Sequence, residues 1–345
     1  MAETVTTKVL VTGATGFIAG HCIMDLLEHG YAVRGTVRDP ATADVAHLRA
    51  IAKRTGGSLE LVQASLDDDA GWAEAAKGCD HVWHLASPVP ARVPRNENDV
   101  IGPAVDGTRR VLRAAWESGT VQRVVMTSST DAIVHGHPER DRVRTEADWS
   151  DVTHAAPYPR SKVFAERAAW EYVADRDLEL VAVHPGLVLG PLLHAEQKTS
   201  MEIVRLLLAG KLPAVPRLSF AVVDVRDVAT AHRLAMQTPA AAGNRYILAT
   251  EPSLWMGEIA EILAAEVGGR GIRVPTRTLP YWLMWLNARV DPAIRLALTY
   301  YDVPVLVTAH KAKQELGWKP RPADDTVRAA AESLLAYAVV HRGRA

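Results

Sequence analysis

The first half of this chain of 345 residues alternates short apolar runs with helix-length amphipathic stretches, and that rhythm restricts the fold more than any single motif. The runs are KVLVTG, YAVRGTVR, LELVQAS, HVWHLAS, RVVMTSS and LELVAVHP, with segments such as GHCIMDLLEHG between them. Apolar runs of strand length joined by helices are βαβ units, so the strands are parallel and both faces of the sheet are covered. The spacing therefore predicts a doubly wound α/β fold. Right-handed crossovers bring the carboxyl ends of the strands to one edge, where such sheets bind ligands.

After HPGLVLGP the alternation pauses, and Pro191, Pro213 and Pro216 interrupt residues 191–220. It resumes with SFAVVDVRDVATAHRLAM and NRYILA, and residues 251–345 read as helices and proline-punctuated loops. The expected organisation is a cofactor domain from 1–190 and 221–250, with a smaller, mostly helical substrate lobe from 191–220 and 251–345. No repeat or low-complexity tract is visible.

Thirty-nine Lys and Arg face 40 Asp and Glu, so no global field favours nucleic acid or an anionic membrane. Cys22 and Cys79 form neither a disulfide framework nor, with the histidines, a zinc pattern. No metal site is expected, and a reducing cytoplasm fits. MAETVTTKVLVTGATG lacks the basic and apolar regions of a secretion signal. The most membrane-like run, LPYWLMWLNARVDPAIRLAL, contains Asn287, Arg289, Asp291, Pro292 and Arg295 and cannot cross hydrocarbon cheaply. A monomer or a homodimer is expected.

VLVTGATGFIAGHCIMDLLEHG is a strand, a glycine turn and a helix in order. Gly13 permits the turn, Gly16 lets the backbone approach a pyrophosphate, and small Ala19 lets the helix pack on the strand, its N-terminus holding the anion. A dinucleotide is implied, and the domain is of the Rossmann type. At the end of the second strand, RGTVRDP offers Arg38, a forked cation suited to a 2′-phosphate, so NADP(H) is expected over NAD(H). Asp39 follows directly and could pair with Arg38 or contact a ribose instead. Further on, Tyr158 and Lys162 of YPRSK are an i, i+4 pair, which a helix places on one face.

Together VTGATGFIAG, GTVRDP, GCDHVWHLASPV, VIGPAVDGTRRVLRAA, RVVMTSST, EADWSD, YPRSKVFAERAAW, HPGLVLGP and VVDVRDVATAH carry a resemblance over residues 8 to about 232. The chain resembles the extended short-chain dehydrogenase/reductases. Within them it is similar to the branch of dihydroflavonol reductases, cinnamoyl-CoA reductases and fungal methylglyoxal or aldehyde reductases. AKQELGWKPRP looks like the family's closing segment.

The resemblance implies a catalytic set of Ser129, Tyr158 and Lys162, with Ser129 chosen over Ser128 as the better-aligned serine. It implies cofactor contacts at Gly13, Thr15, Gly16, Phe17, Ile18, Arg38, Ser65, Leu66, Leu85, Ala86, Ser87, Thr127, Tyr158, Lys162, Pro185, Leu187 and Val188. Three positions depart from the pattern. Val134 stands where flavonoid-reducing relatives hold substrate hydroxyls with asparagine, Ser65 where an acidic residue often approaches adenine, and Asp44 near a second basic residue that helps hold NADP.

Carbonyl reduction requires a hydride, a proton and one geometry for both. Free tyrosine titrates near pH ~10, and a lysine ammonium with a nearby nicotinamide is expected to lower that value. Tyr158 then serves as the acid, Lys162 also reaches the nicotinamide ribose, and Ser129 donates to the growing negative charge. The expected activity is NADP(H)-dependent reduction of a ketone or aldehyde, with NADH a poorer donor. The same triad serves 3β-hydroxysteroid dehydrogenases and sugar-nucleotide epimerases, and a non-catalytic NADP sensor is the alternative from another class.

His84, His135, His137 and His184 lie near strand ends without metal-ligand spacing and read as structural or loop residues. Asp131 reads as stabilising a turn or facing the substrate, and Asp224 and Asp227 as capping a helix and ordering the junction. PYWLMWLNARVDPAIRLALTYYDVP could line an apolar pocket, pair subunits or be core. The first choice suits a hydrophobic small-molecule carbonyl, such as an aryl ketone or aldehyde.

Overall fold

The computed structural model describes residues 6–88, 96–195 and 200–337. Its strands are β1 (Lys8–Val11), β2 (Ala32–Val37), β3 (Leu59–Gln63), β4 (His81–His84), β5 (Arg123–Thr127), β6 (Glu179–Pro185), β7 (Leu187–Leu189), β8 (Ser219–Phe220), β9 (Val222–Asp224), β10 (Arg245–Leu248) and β11 (Leu254–Trp255). Seven of them make one parallel sheet in the order β10-β6-β5-β4-β1-β2-β3. β7 pairs with β9, and β8 with β11, outside it.

The helices are α1 (Phe17–Glu28), α2 (Ala46–Thr55), α3 (Trp72–Ala76), α4 (Asn98–Glu117), α5 (Pro157–Val173), α6 (Glu202–Leu208), α7 (Val225–Gln237), α8 (Met256–Val267), α9 (Tyr281–Asn287), α10 (Pro292–Leu298), α11 (His310–Glu315) and α12 (Ala323–Ala336). Strand alternation assigns each apolar side chain to a layer. Val9 and Val11 share a core with Val33, Val125, Val181 and the inner faces of α1 and α7. Leu10 points the other way, with Val82, Val124 and Leu180, towards α3, α4 and α5. Burial on both faces explains why these strands are apolar nearly throughout.

Two buried cations fasten helices to the sheet. Arg34 of β2 pairs with Glu60 at 2.8 Å and donates to the carbonyls of Glu74, Ala75 and Lys77 at the end of α3. Arg123 of β5 pairs with Glu179 at 2.7 Å and donates to the carbonyls of Ala235, Met236 and Thr238 at the end of α7. Each satisfies carbonyls that a helix terminus leaves without partners.

The two aspartates of VVDVRD differ from expectation in one respect. Asp224 does cap α7, accepting from the Arg226 amide at 2.8 Å. Asp227 lies inside the first turn and does not cap. It accepts from the Arg321 amide at 2.6 Å and pairs with that guanidinium, while Trp318 Nε1 donates to its carbonyl at 2.9 Å. The closing segment GWKPR is thereby tied to α7. Among the described residues no helix is long and apolar enough to cross a membrane.

The strand order reverses between β1 and β4, since β2 and β3 lie on one side of β1 and β4, β5 and β6 on the other. A crevice outside the carboxyl ends follows from that reversal.

Candidate active site

A cleft of about 1570 Å³ runs along that edge. It is lined by Gly13, Thr15, Gly16, Phe17 and Ile18 of the first turn, Arg38, Ser65, Leu66, Leu85, Ala86, Ser87, Thr127, Ser129, Tyr158, Lys162, Pro185, Leu187 and Val188. Every residue expected from the sequence to serve cofactor or catalysis therefore borders one continuous space.

Backbone shapes the end of the cleft near β1. Gly13 has φ +69°, and a Cβ there would stand 3.1 Å from Ala86 Cβ. The Gly16 amide donates to Gly13 O at 2.9 Å and the Gly13 amide to Thr36 Oγ1 at 3.0 Å, which fixes the turn. α1 begins without a side-chain cap or an acid in its first turn, so its leading amides remain available to an anion. The Arg38 side chain is exposed and has no carboxylate partner among the described residues. Asp39 does not pair with it, because its carboxylate accepts from the Ala41 amide at 2.9 Å and the Thr42 hydroxyl at 2.8 Å. Asp44 lies away from the cleft, 3.9 Å from His194 Nδ1. These residues fit a dinucleotide bearing a 2′-phosphate.

Thr12 and His84 support the turn from beneath. Thr12 Oγ1 accepts from the amides of Leu85 (3.0 Å) and Ala86 (2.9 Å), so its own proton goes to His84 Nδ1 at 3.0 Å. His84 Nε2 then donates to Thr108 Oγ1 at 3.3 Å, whose hydroxyl donates to Ala104 O at 2.8 Å. Burial, with the charge of Lys162 adding to it, brings the imidazole down to about 3. His84 is a neutral, satisfied interior residue.

α5 starts on Pro157, whose missing amide and fixed φ suit a first helical position. Tyr158 and Lys162 occupy its opening turns, with Lys162 Nζ 5.7 Å from the phenol ring centroid and donating to Ser87 Oγ at 3.1 Å. In the chain alone the expected lowering of the phenol is not found. Burial pushes Tyr158 up, and the carboxylate of Asp131 pushes it further. Burial also brings Lys162 down to about 8, against the charges of Asp131 and Glu166. The ammonium's hydrogen bond goes to Ser87, and Asp131 is the charge that moves the phenol.

The two serines after β5 are separated by their partners. Ser128 Oγ donates to Glu166 Oε2 at 2.6 Å in the interior. Ser129 Oγ accepts the Asp131 amide at 3.1 Å, and its hydroxyl, bordering the cleft, is within reach of the Asp131 carboxylate. The structure divides the four histidines likewise. His84 and His184 are interior, whereas His135 and His137 are loop residues that border the cleft. Asp131 combines both expected roles, its amide closing the turn and its carboxylate lining the cleft beside His135.

The aromatic stretch also divides. Leu296, Thr299, Tyr300 and Val303 line the cleft together with Val134. Tyr281, Trp282, Trp285 and Leu286 of α9 face outward, with Trp282 63% exposed. Among the described residues no group of His, Cys, Asp and Glu is arranged to hold a metal.

Residues 9–249 match the profile of the NAD dependent epimerase/dehydratase family. The chain belongs to that family. Cinnamoyl-CoA reductase 1 of Arabidopsis thaliana is 42% identical to this extended short-chain dehydrogenase/reductase over 264 residues, 74% of each chain. Dihydroflavonol 4-reductase of Zea mays is 36% identical over 250 residues, 69% of each chain. Among solved structures, yeast methylglyoxal/isovaleraldehyde reductase complexed with NADPH superposes with a TM-score of 0.78 at 27% identity, covering 96% of this chain and 99% of that one. These relatives belong to the branch that the motifs indicate.

One component of this family member escaped the sequence reading. Glu166, fully buried one helical turn beyond Lys162, accepts from Arg245 Nε (2.7 Å), His184 Nε2 (2.7 Å), Trp170 Nε1 (3.2 Å) and Ser128. Burial alone would raise its carboxyl, but His184 and Arg245 outweigh it and hold the group well below the usual carboxylate range. Arg245 also donates to the carbonyls of Glu146 and Asp148, and its guanidinium lies 3.9 Å from the Trp149 ring centroid. The cluster locks the end of β5 to α5. Its signal, an i, i+4 step from Lys162, is indistinguishable in sequence from a solvated helix glutamate.

Proposed function

We propose that this chain is an NADP(H)-dependent carbonyl reductase that converts a ketone or aldehyde to its alcohol, with NADH the poorer donor. The observation that carries the reading is the meeting of Ser129, Tyr158 and Lys162 in the same cleft as the Gly13–Gly16 turn and the exposed Arg38. The NADPH of the yeast structural neighbour supports the same choice of cofactor.

When bound, the reduced nicotinamide supplies the hydride. Tyr158 gives its phenolic proton to the oxygen that becomes the alcohol. Ser129, which borders the cleft, turns its hydroxyl to that oxygen as charge grows there. Lys162, held between Ser87 and the phenol, keeps a positive charge beside the proton donor and is placed to reach the nicotinamide ribose. The apolar side chains Val134, Leu296 and Val303 favour a hydrophobic carbonyl compound.

The test is loss of NADPH or NADH absorbance against aldehydes, aryl ketones, diketones, flavanonols and cinnamoyl-CoA. Turnover of at least one class, faster with NADPH, is expected. Tight NADPH binding with no turnover of any class would leave a sensor as the better description.

A further inference from the structure

Beyond Ser129 the cleft is walled by Val134, Phe220, Leu296, Val303 and Val305, and Asp131 enters beside them from the turn that Ser129 caps. Its amide bonds Ser129 Oγ at 3.1 Å, and it shares the lining with Tyr158 and Lys162, which places it at the reacting end of the cleft.

The carboxylate is built in. Oδ1 bonds His135 Nε2 at 2.8 Å, and the His135 ring packs on Tyr300 with centroids 4.8 Å apart. The His135 amide donates to Ser150 Oγ at 2.8 Å, and that hydroxyl donates to Asp131 O at 2.7 Å. Residue, partner and turn are thus fixed to one another. No lysine or arginine forms an ion pair with Asp131 among the described residues, and the nearby Lys162 ammonium bonds Ser87.

An ionised carboxylate offers about four acceptor positions, of which His135 and the Ser129 hydroxyl take two. When an apolar substrate packs into the cleft it displaces water from the remainder, and a desolvated acceptor without a donor is costly. The substrate is the group that arrives there, so the substrate must bring the donor.

Resting on the reductase reading above, we propose that Asp131, oriented by His135, selects carbonyl substrates bearing a hydroxyl group near the reacting carbonyl, whose proton it accepts. The preferred class is hydroxyketones and hydroxyaldehydes, in place of carbonyl compounds that are apolar throughout.

The test compares kcat/KM with NADPH for 2-hydroxyacetophenone and 2-methoxyacetophenone, a pair that differs in the donor while keeping the aryl ketone. The wild type is expected to favour the hydroxy compound by about tenfold or more. Asp131→Ala should abolish that ratio, chiefly by raising KM for the hydroxy compound. His135→Phe, which keeps a ring against Tyr300 but removes the orienting bond, should reduce the ratio part-way. Quenching of protein fluorescence by NADPH verifies that each variant is folded. Equal kcat/KM for the pair in the wild type, or an equal loss on both in Asp131→Ala, overturns the inference while leaving the reductase reading intact. Bound NADPH with no ketone or aldehyde reduced overturns the reductase reading itself, and this inference with it.

Discussion

The two ends of the cleft are determined in opposite ways. At the cofactor end the backbone sets the shape, since Gly13, Gly16 and the first turn of α1 are neighbours in the chain, braced from β2 by Thr36. At the substrate end the shape comes from side chains that meet only after folding: Val134 and His135 after β5, Phe220 of β8, and Leu296 to Val305 near the C-terminus. A local device can be copied intact between proteins of one family. A surface assembled from distant segments changes whenever any one of them does.

Tyr158 stands at the boundary, and its replacement by phenylalanine carries the largest expected effect. Turnover of any accepted carbonyl should fall by about 10²- to 10⁴-fold, the range for loss of a positioned acid, while NADPH affinity measured by fluorescence stays close to wild type. Loss of cofactor binding together with turnover would break the separation of the two ends.

Glu166→Gln tests what holds the ends together. Removing a buried charge from its partners leaves Arg245 uncompensated, and about 3–5 kcal/mol of stability should be lost, read as a lower urea midpoint. The same change alters the pH profile. Burial brings Lys162 down to about 8 against the charges of Asp131 and Glu166, so in the wild type kcat/KM should fall as pH rises past that value and the ammonium is lost. Without Glu166 the decline should begin at lower pH. An unmoved alkaline limb in a folded variant would show that Glu166 serves stability alone.

Arg38→Ala addresses the cofactor end by itself. The preference for NADPH over NADH should drop by about tenfold or more, as loss of a hydrogen bond to a charged group costs ~1.5–3 kcal/mol. The relative rates among carbonyl substrates should stay the same, because Arg38 sits with the cofactor-end residues. A changed substrate order would mean that the ends communicate.

The same division explains what could be read before folding. The sheet, the glycine turn and the Tyr158–Lys162 pair follow from periodicities and spacings within a few residues, and the parallel sheet is found as expected. Ser128 and Ser129 are equivalent on spacing; the partner that draws Ser128 inward is Glu166, whose burial depends on Arg245 arriving from β10. The phenol's upward shift depends on Asp131 and on burial, and neither is visible from an i, i+4 step. Sequence shows which groups are available, whereas their electrostatics depend on neighbours brought in from elsewhere.

The smallest effect is expected on α9, where an aromatic run looks most like a pocket. Trp282 is 63% exposed, and Trp285 beside it is 47% exposed with its ring against Arg289. Neither lines the cleft, whereas Tyr300, farther along the same stretch, packs on His135 within it. Replacing Trp282 by glutamine removes no core contact and unpairs no buried group, so stability should change by within about 0.5 kcal/mol and KM for any substrate should hold. Tyr300→Ala, by contrast, opens the cleft and frees His135, and should raise KM. If Trp282→Gln raised KM as much as Tyr300→Ala, the boundary between substrate wall and outer surface would have to be moved to include α9.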